Sequence, residues 1–554
     1  MSEKLFLIAI GGTGMRCLES FVHLCAAGLF DNHTIDILTL DTDQTNGNKG
    51  KVEHLIHLYN KVKTNDAGSE GGEQRKGTFF SAKLNLYRFY TDYSKPARQT
   101  LSALASTPNL TEEQRQDNQD LADLFFDRDS VQQFKLDHGY RAQTHLGSML
   151  MYHGIVEAAV NARRGGDHVE KQERELVEYL QLLNQHASNA RVFVFGSVFG
   201  GTGASSIPVI PLAISEALNI ITGGTNVLNL DKILFGSTLL TDYFTFKNPD
   251  EQQLTRDKVI ASSNNFALNS QAALSFYNDD PTVQKTYKRL YHIGWPASLK
   301  ANFSKDQGGG VVTGGHEQCN ECHIAELMCA MAAYDFFNEE RKKLEDIGKA
   351  EYLFRTVQVD ESNIMQLNGN SFISKQPGEY FENKLGALLS FAHIILSKYR
   401  GAEEGESGTS NLLADLERDY SEYSNLTPEQ CDEIDRYFKE FGYKFKNGVV
   451  EFGWIYQIYK SMQNGKFLFS PEAFRTDIGE LKDIDPGAIF EDPMHHWDKT
   501  GMITNSAAIR RFNTLIKIIR SESSWPEEHQ AGTTKEEFLA HMYNAITIAQ
   551  HFAE

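Results

Sequence analysis

Two stretches decide the fold: KLFLIAIGGTG at residues 4–14 and RVFVFGSVFGGTG at residues 191–203. In each stretch a short apolar run leads to the turn GGTG. A segment of helical pattern follows, at about 15–27 and 209–218. A short apolar run that glycines terminate is typical of a buried strand. Two strand–turn–helix units therefore predict an α/β protein built on a parallel sheet.

Three further apolar runs predict more strands of this sheet. They are TIDILTLD at 34–41, KILFGSTLL at 232–240 and TYKRLYHIG at 286–294. A glycine-rich loop and a long apolar helix at about 321–338 follow the last of them. Strands that alternate with helices along the chain indicate a Rossmann-like sheet with helices on its faces.

The composition narrows the class of protein. The 554 residues include 54 Lys and Arg against 74 Asp and Glu, a formal net charge of −20. Hydrophobic residues make up 41% of the chain and charged residues 23%, which supplies a sizeable core and excludes a largely disordered chain. An acidic chain lacks the positive charge that binds nucleic acid or anionic lipid. We therefore expect no nucleic-acid partner and no membrane partner.

The sequence also predicts a location. It has no run of 18 or more apolar residues, so we expect no membrane span. The opening MSEKLFLIAIGGTG passes from a short apolar run into glycines, which is not the pattern of a secretory signal. The six cysteines are sparse for this length. We therefore expect a cytoplasmic protein with reduced thiols.

The two GGTG turns are the strongest functional signal. Glycine lets the backbone approach an anion closely, and free amides at a helix start attract phosphate. Two such turns at the same edge of one parallel sheet can cradle one polyphosphate. Neither turn is a P-loop, because no Gly-Lys-Ser/Thr follows, and the first is not G-x-G-x-x-G. A purely local structural role is the alternative for either turn taken alone.

Taken together, the turns resemble those of the tubulin/FtsZ superfamily, particularly its divergent bacterial tubulin-like branch. Residues 199–209, FGGTGASSIPV, are similar to the signature GGGTG[ST]G and to the Ala-Ala-Pro-Val that follows it in FtsZ. Pro208 and Val209 fall in register with that motif. The chain departs from the signature at Phe199, in place of its first glycine, and at Ala204-Ser205, in place of [ST]G.

Three other segments extend the resemblance, which covers roughly residues 4–340. Thr42-Asp43 matches the Thr-Asp pair after the second strand of the family. TDYF at 241–244 resembles the Thr-Lys-Pro-Phe that ends a later strand in FtsZ. GYR at 139–141 resembles the loop that meets the terminal phosphate.

The resemblance implies a Rossmann-like parallel-sheet nucleotide-binding domain of tubulin/FtsZ type that binds GTP or GDP, with Mg²⁺ as a further expected ion. The binding residues that it implies are Gly11, Gly12, Thr13, Gly14, Asp43, Arg141, Gly200, Gly201, Thr202, Gly203 and Asn320. Arg141 would lie near the terminal phosphate, Asp43 near the ribose or a magnesium-bound water, and Asn320 would read guanine. The ordinary alternatives are a surface arginine, a helix or turn cap, and a helix N-cap.

The sequence pattern, together with the resemblance over residues 4–340, also predicts a domain organisation. Residues 1–340 would form the nucleotide-binding domain with its core helix, and 44–136 would be an insertion on the rim of the sheet. Residues 341–400 would form a second small α/β region. Residues 401–554 would form a mostly helical region that begins with the linker-like GAEEGESGTSN and has a possible protein partner of its own.

In this family, subunits assemble head to tail, and an acidic residue in the loop after the core helix completes the neighbour's active site. The corresponding stretch here, 338–352, contains Glu345 and Asp346 but not the Asn-x-Asp-Phe-Ala-Asp of FtsZ. The expected function is therefore a self-assembling GTP-binding protein, a possible GTPase whose catalytic residue is unknown. A non-hydrolysing nucleotide-binding scaffold or sensor is the first alternative.

A nicotinamide-dependent oxidoreductase is a second alternative, suggested by the first strand–glycine–helix unit. Such enzymes place an acidic residue about 20 residues further on, at the end of the next strand. Asp41 and Asp43 lie about 30 residues after the first glycine, which is a poor fit. The second GGTG turn has no role in this reading.

Residues 319–323, Cys-Asn-Glu-Cys-His, match the c-type haem pattern, and His316 adds a fourth nitrogen or sulfur ligand that zinc accepts. Haem attachment needs an exported chain. Four zinc ligands within eight residues at a helix start would be geometrically cramped. We therefore expect no metal here and interpret these residues as incidental to a helix start.

Overall fold

The computed structural model describes residues 3–31, 33–63, 77–91, 111–125, 144–165, 169–224, 230–246, 262–302, 315–316, 318–359, 365–366, 384–389, 391–392, 395, 426–446, 449–461 and 535–551. Its centre is a sheet of seven parallel strands, which confirms the α/β, Rossmann-like class. The strands are β1 Lys4–Ile10, β2 Thr34–Asp41, β3 Lys83–Tyr90, β4 Ala190–Phe195, β5 Leu234–Leu240, β6 Tyr287–Ile293 and β7 Glu351–Arg355.

The strand order across the sheet is β3-β2-β1-β4-β5-β6-β7. The chain runs from β1 outward to β3, returns to the centre, and then runs from β4 outward to β7. The direction of winding therefore reverses between β1 and β4, and a crevice opens at such a reversal, beyond the carboxyl ends of the strands. Both GGTG turns follow strands at this reversal.

Helices cover both faces of the sheet. They are α1 Gly11–Ala26, α2 Gly47–Lys63, α3 Glu112–Phe125, α4 Thr144–Arg164, α5 Lys171–Gln185, α6 Gly201–Ser206, α7 Ile210–Thr222, α8 Phe266–Asp279, α9 Pro281–Thr286, α10 Ile324–Asn338, α11 Arg341–Glu345, α12 Pro428–Phe441, α13 Trp454–Lys460 and α14 Lys535–His551. One core joins α1, α2 and α10 to one face, and a second core joins α4, α5, α7, α8 and α9 to the other. Two buried faces explain why the strands are apolar along their whole length.

Short antiparallel pairs and one parallel pair complete the described structure. The two-residue strands Phe244–Thr245 and Ala301–Asn302 are parallel, whereas Gln358–Val359 with Met365–Gln366 and Tyr443–Lys446 with Val449–Phe452 are antiparallel. Residues 384–389 are helical. None of the described helices is long and apolar enough to cross a membrane.

The segment 44–136, which the sequence analysis interprets as an insertion on the rim, contributes two elements to the central unit. β3 is a hydrogen-bonded edge strand of the sheet, and α2 packs on α1. The helical signal is present in the sequence, since Val52, Leu55, Ile56 and Tyr59 follow the spacing of one helix face. The many polar residues around these four apolar positions made the helical pattern hard to recognise in the sequence. In the same segment, α3 lies with nearly all of its residues exposed.

The described parts of 401–554 are mostly helical and pack against α1 and α2. The Tyr437 hydroxyl lies 2.8 Å from His23 Nδ1, and the indole nitrogen of Trp454 donates to Ser20 Oγ at 2.9 Å. Both partners lie on α1, the helix that begins with the first GGTG turn. Elements far apart in sequence therefore share one hydrophobic core with the sheet.

Replacing Trp454 by alanine tests this packing. The side chain is fully buried against His23 and Phe441, so its loss should lower the free energy of unfolding by about 3–5 kcal/mol. Leu124→Ala on the exposed α3 is the matched control and should change stability by less than about 0.5 kcal/mol. Denaturant unfolding of the full chain measures both, and equal effects would contradict the shared core.

Candidate functional site

The two glycine turns touch each other at the winding reversal. Gly11 has φ +64°, a conformation that favours glycine, and a Cβ built on it would lie 3.1 Å from Thr202 Cβ. The first turn forms the start of α1 instead of preceding it, because the helix begins at Gly11. The sequence predicted two turns at one edge, and the structure brings them into direct contact.

Two of the glycines allow the helices to lie close to the strands. A Cβ on Gly14 would lie 2.6 Å from the carbonyl oxygen of Phe195, and one on Gly203 would lie 2.7 Å from that of Ser197. Gly14 and Gly203 are buried, so their role is packing. The partly exposed members of the turns are Gly12, Thr13, Gly200, Gly201 and Thr202. These five are the residues that a ligand in the crevice can reach.

The start of α1 has the features of an anion-binding helix end. Its N-cap, Ile10, provides no side-chain hydrogen bond, and its first turn holds no acidic residue. The first amides of a helix lack partners within the helix and carry partial positive charge. Gly200, which precedes α6 beside it, also provides no side-chain cap. Two helix starts without a side-chain cap therefore lie next to each other at the winding reversal.

A group of side-chain amides lies beside Gly12. A Cβ on Gly12 would lie 3.3 Å from Nδ2 of both Asn46 and Asn48. Asn48 pairs with the predicted Asn320, whose backbone N–H donates to Asn48 Oδ1 at 3.1 Å. Asn46 Nδ2 donates to Gln318 Oε1 at 2.7 Å. The role of Asn320 in reading guanine stays a prediction, and Asn46 and Asn48, three and five residues after Asp43, were not predicted to lie at this site.

Asp43 is buried and organises these loops. Its Oδ1 accepts hydrogen bonds from the backbone N–H and the hydroxyl of Thr45, each at 3.0 Å. Its Oδ2 accepts from the backbone N–H of Gly315 at 2.5 Å. This arrangement is a turn cap that joins the end of β2 to the segment before α10. A contact of Asp43 with ribose or a magnesium-bound water stays a prediction.

Asp41, two residues earlier, is the unusual carboxyl of the site. It ends β2 and is buried, and its Oδ1 accepts from the backbone N–H groups of Thr42 and Asp43. Its Oδ2 has no hydrogen-bond partner in the described structure. Burial, with the nearby charge of Asp43, raises the pKa of Asp41 to about 7.

Arg16 connects the first turn to α10. Its guanidinium lies 2.6 Å from the Glu326 carboxylate, and both side chains are buried. The Tyr243 hydroxyl bridges the two, accepting from Arg16 and donating to Glu326. Burial alone would lower the pKa of Arg16, but Glu326 and Tyr243 raise it above its ordinary value. Arg16 was not predicted to have a role, and the available signal was an arginine between Met15 and Cys17 in an otherwise apolar stretch of α1.

The departures from the signature are accommodated within the core. Phe199 packs among Tyr243, Phe244 and Phe266, with ring centroids 4.9–6.1 Å apart. The Ser205 hydroxyl is buried and donates to the carbonyl oxygen of Thr202 at 3.0 Å. Phosphate contacts at this turn would therefore come from backbone amides and Thr202. Arg141 lies outside the described residues.

The Cys-x-x-Cys-His segment does not form a metal cluster. His316 and Cys319 are exposed, whereas Cys322 and His323 are buried. The His323 ring packs between Tyr243 and Trp295, at centroid distances of 4.8 and 4.7 Å. Burial and the charge of Arg16 lower its pKa to about 3. Among the described residues, no group of three or more His, Cys, Asp or Glu side chains is placed to hold a metal ion.

Comparisons with protein-family models, with curated proteins and with solved structures find no match to this chain. The functional argument therefore depends on the residues and the geometry described above.

The buried carboxyl gives the site a testable pH dependence. A folded-state pKa of about 7, above the ordinary 3.8, means that the folded chain holds this proton more tightly than the unfolded chain. The resulting stability is present in full below pH about 3.8 and is lost as the pH rises through about 7.

Asp41→Asn keeps an oxygen acceptor for the Thr42 and Asp43 amides but has no titrating proton. The free energy of unfolding of the wild type, measured relative to this variant, should fall by a few kcal/mol between pH 4 and 7. Urea unfolding at a series of pH values measures the difference. A constant difference across this range would show that Asp41 is not a buried, protonated group.

Proposed function

We propose that this chain is a tubulin/FtsZ-like GTP-binding protein that self-assembles head to tail. The observation that carries the proposal is the contact between the two glycine turns, Gly11 against Thr202, at the winding reversal of the sheet. A crevice at this place is where doubly wound sheets bind nucleotides. A dinucleotide fold uses one glycine turn, whereas this site has two that converge.

Backbone amides from two turns suit a polyphosphate. The uncapped start of α1 would hold one part of the phosphate chain and the turn at 200–203 another. The side-chain amide of Asn48 lies beside Gly12 and contacts Asn320, and the two amides present both donors and acceptors. Guanine offers a complementary set of donors and acceptors, which supports GTP or GDP as the ligand.

Bound Mg²⁺ would share its ligands between protein, phosphate and water. The carboxylate of the Thr-Asp motif is Asp43, and both of its oxygens already accept hydrogen bonds. Mg²⁺ commonly keeps several waters and uses phosphate oxygens as ligands. The residues present therefore fit an ion held largely through the nucleotide.

The position of α10 supports head-to-tail assembly. The helix starts beside the first turn, where Glu326 pairs with Arg16, and its 15 residues span about 22 Å. The following α11 lies at the amino ends of the strands, since Arg341 contacts Glu3 just before β1. The stretch 338–352 therefore begins at the amino ends of the central strands, and the glycine turns lie at their carboxyl ends. Contact between opposite ends of successive copies generates a filament.

The acidic residues of 338–352 do not single out a catalytic group. Glu345 pairs with Arg341 at 2.7 Å within α11. A non-hydrolysing scaffold is therefore the alternative to a GTPase, and self-assembly does not depend on which of the two is correct.

The nicotinamide alternative finds some support in Asp41, which ends β2 at the position of a ribose-binding acid in dinucleotide-binding folds. Against it, the Asp41 side chain is buried and bonded to the amides of its own loop.

Gly12→Asp tests the nucleotide site. The new carboxylate would point at the amide nitrogens of Asn46 and Asn48, which can donate to it, and would place negative charge where phosphate is expected. Affinity for GTP should fall at least tenfold, about 1.4 kcal/mol, with the fold intact. Gly50→Ala on α2 is the matched control, since a Cβ there meets no atom within 4 Å. Isothermal calorimetry that gives both variants wild-type affinity would contradict the site.

Phosphate release from GTP across a series of protein concentrations tests assembly. If neighbouring subunits complete the active site, the rate per subunit should rise with concentration. A rate per subunit that stays constant above zero would contradict hydrolysis at a subunit interface. Complete absence of release, with GTP bound, would favour the scaffold.

A further inference from the structure

Among the described strands, β7 is an open edge of the central sheet. It pairs with β6 on one side only, and none of the described strands pairs with its other side. Tyr352 is 37% exposed and Phe354 is 57% exposed. Natural edge strands normally carry lysine, proline or a covering element, because an open edge is a template for another strand. Two exposed aromatic residues on such an edge indicate a contact surface.

The backbone of β7 presents regular hydrogen-bonding groups outward. The carbonyl oxygen of Arg355 accepts from the backbone N–H of Gly294, so residue 355 bonds toward β6. Bonding direction alternates along a strand, so Glu351 and Leu353 also bond inward, whereas Tyr352 and Phe354 present their N–H and C=O groups outward. The Arg355 guanidinium donates to the outward carbonyl of Phe354 at 3.0 Å, and that oxygen can accept a second bond.

The strand sequence Glu-Tyr-Leu-Phe-Arg is complementary to itself in the antiparallel sense. When two copies pair about Leu353, the outward residues Tyr352 and Phe354 lie opposite each other as a hydrogen-bonded pair. In the same register Glu351 of one copy lies opposite Arg355 of the other, at both ends of the contact. Aromatic pairs and opposite charges directly across an antiparallel ladder are each stabilising.

We propose that β7 is a homodimerisation edge, at which two copies of this chain pair antiparallel about Leu353 and form one continuous sheet. The contact is isologous, so it closes at two copies. Gln284 donates to both the carbonyl oxygen of Tyr277 and the hydroxyl of Tyr352, so the end of α8 lies next to this edge.

The dimer contact is separate from the head-to-tail contact. It lies at the side of the sheet, whereas the glycine turns and α11 lie at the two strand ends. It therefore does not depend on nucleotide, and it pairs subunits whose strands run in opposite directions. Two head-to-tail filaments joined through β7 would be antiparallel.

Sedimentation equilibrium of the full chain without nucleotide tests the proposal. The wild type should associate to a dimer and no further. Arg355→Glu places like charges opposite each other twice per dimer. Phe354→Pro removes an outward N–H that is not bonded to any of the described strands. Each should weaken dimerisation at least tenfold. Leu124→Lys, at an exposed leucine on α3, is the control and should leave dimerisation unchanged.

A charge exchange makes the test specific for the register. Glu351→Lys and Arg355→Glu should each be monomeric alone. An equimolar mixture should regain a heterodimer, because each introduced charge then faces an opposite one. Glu351 also pairs with Arg289 at 2.8 Å, so thermal unfolding of this variant is measured in parallel. If it does not fold, the Arg355→Glu and Phe354→Pro results decide.

A monomeric wild type, or a dimer that survives both Arg355→Glu and Phe354→Pro, would overturn the proposal. Gly12→Asp should lower GTP affinity at least tenfold without changing dimerisation. Failure of the nucleotide site and failure of the dimer edge are therefore distinguishable.

Discussion

The close approach of α1 to the ends of β1 and β4 is the constraint on which the rest of the structure depends. Gly14 permits it, because any larger residue would meet the carbonyl oxygen of Phe195. With α1 seated there, Gly11 contacts Thr202, and the second turn closes on the first. The free amides of α1 then face the crevice at the winding reversal. The contact between the two glycine turns follows from the packing of one helix on two strands.

The buried ion pair of Arg16 and Glu326 holds the start of α10 against α1. A buried pair of charges contributes little net stability, because desolvation offsets the attraction, but removing one partner leaves a costly charge. Its effect is to fix the start of α10 against the first turn, with Tyr243 from the end of β5 between them. The residues that resemble the Thr-Lys-Pro-Phe of FtsZ thus have a structural reason for their position.

The sequence predicted the parts of the fold that local periodicity determines. Residues 4–10, 34–41, 232–240 and 286–294 were expected as strands and are strands, within one or two residues. The sequence did not predict α2 and β3 within the polar segment 44–136. These elements are fixed by burial against α1 and β2, which are distant in the chain, and the average composition of the segment does not reveal that burial. Asn320 was chosen as a candidate because the resemblance places an asparagine at the start of the core helix, and its role stays a prediction. Its partner Asn48, 272 residues away, was visible only once the chain was folded.

The central claim is that the two glycine turns form one guanine-nucleotide site. Competition binding tests it most directly: a fluorescent GTP analogue is bound to the full chain and displaced by GTP, GDP, ATP or NAD. The account predicts displacement by GTP and GDP at concentrations at least tenfold lower than those needed for ATP or NAD. Binding of NAD in preference to GTP, or no binding of any nucleotide, would contradict it.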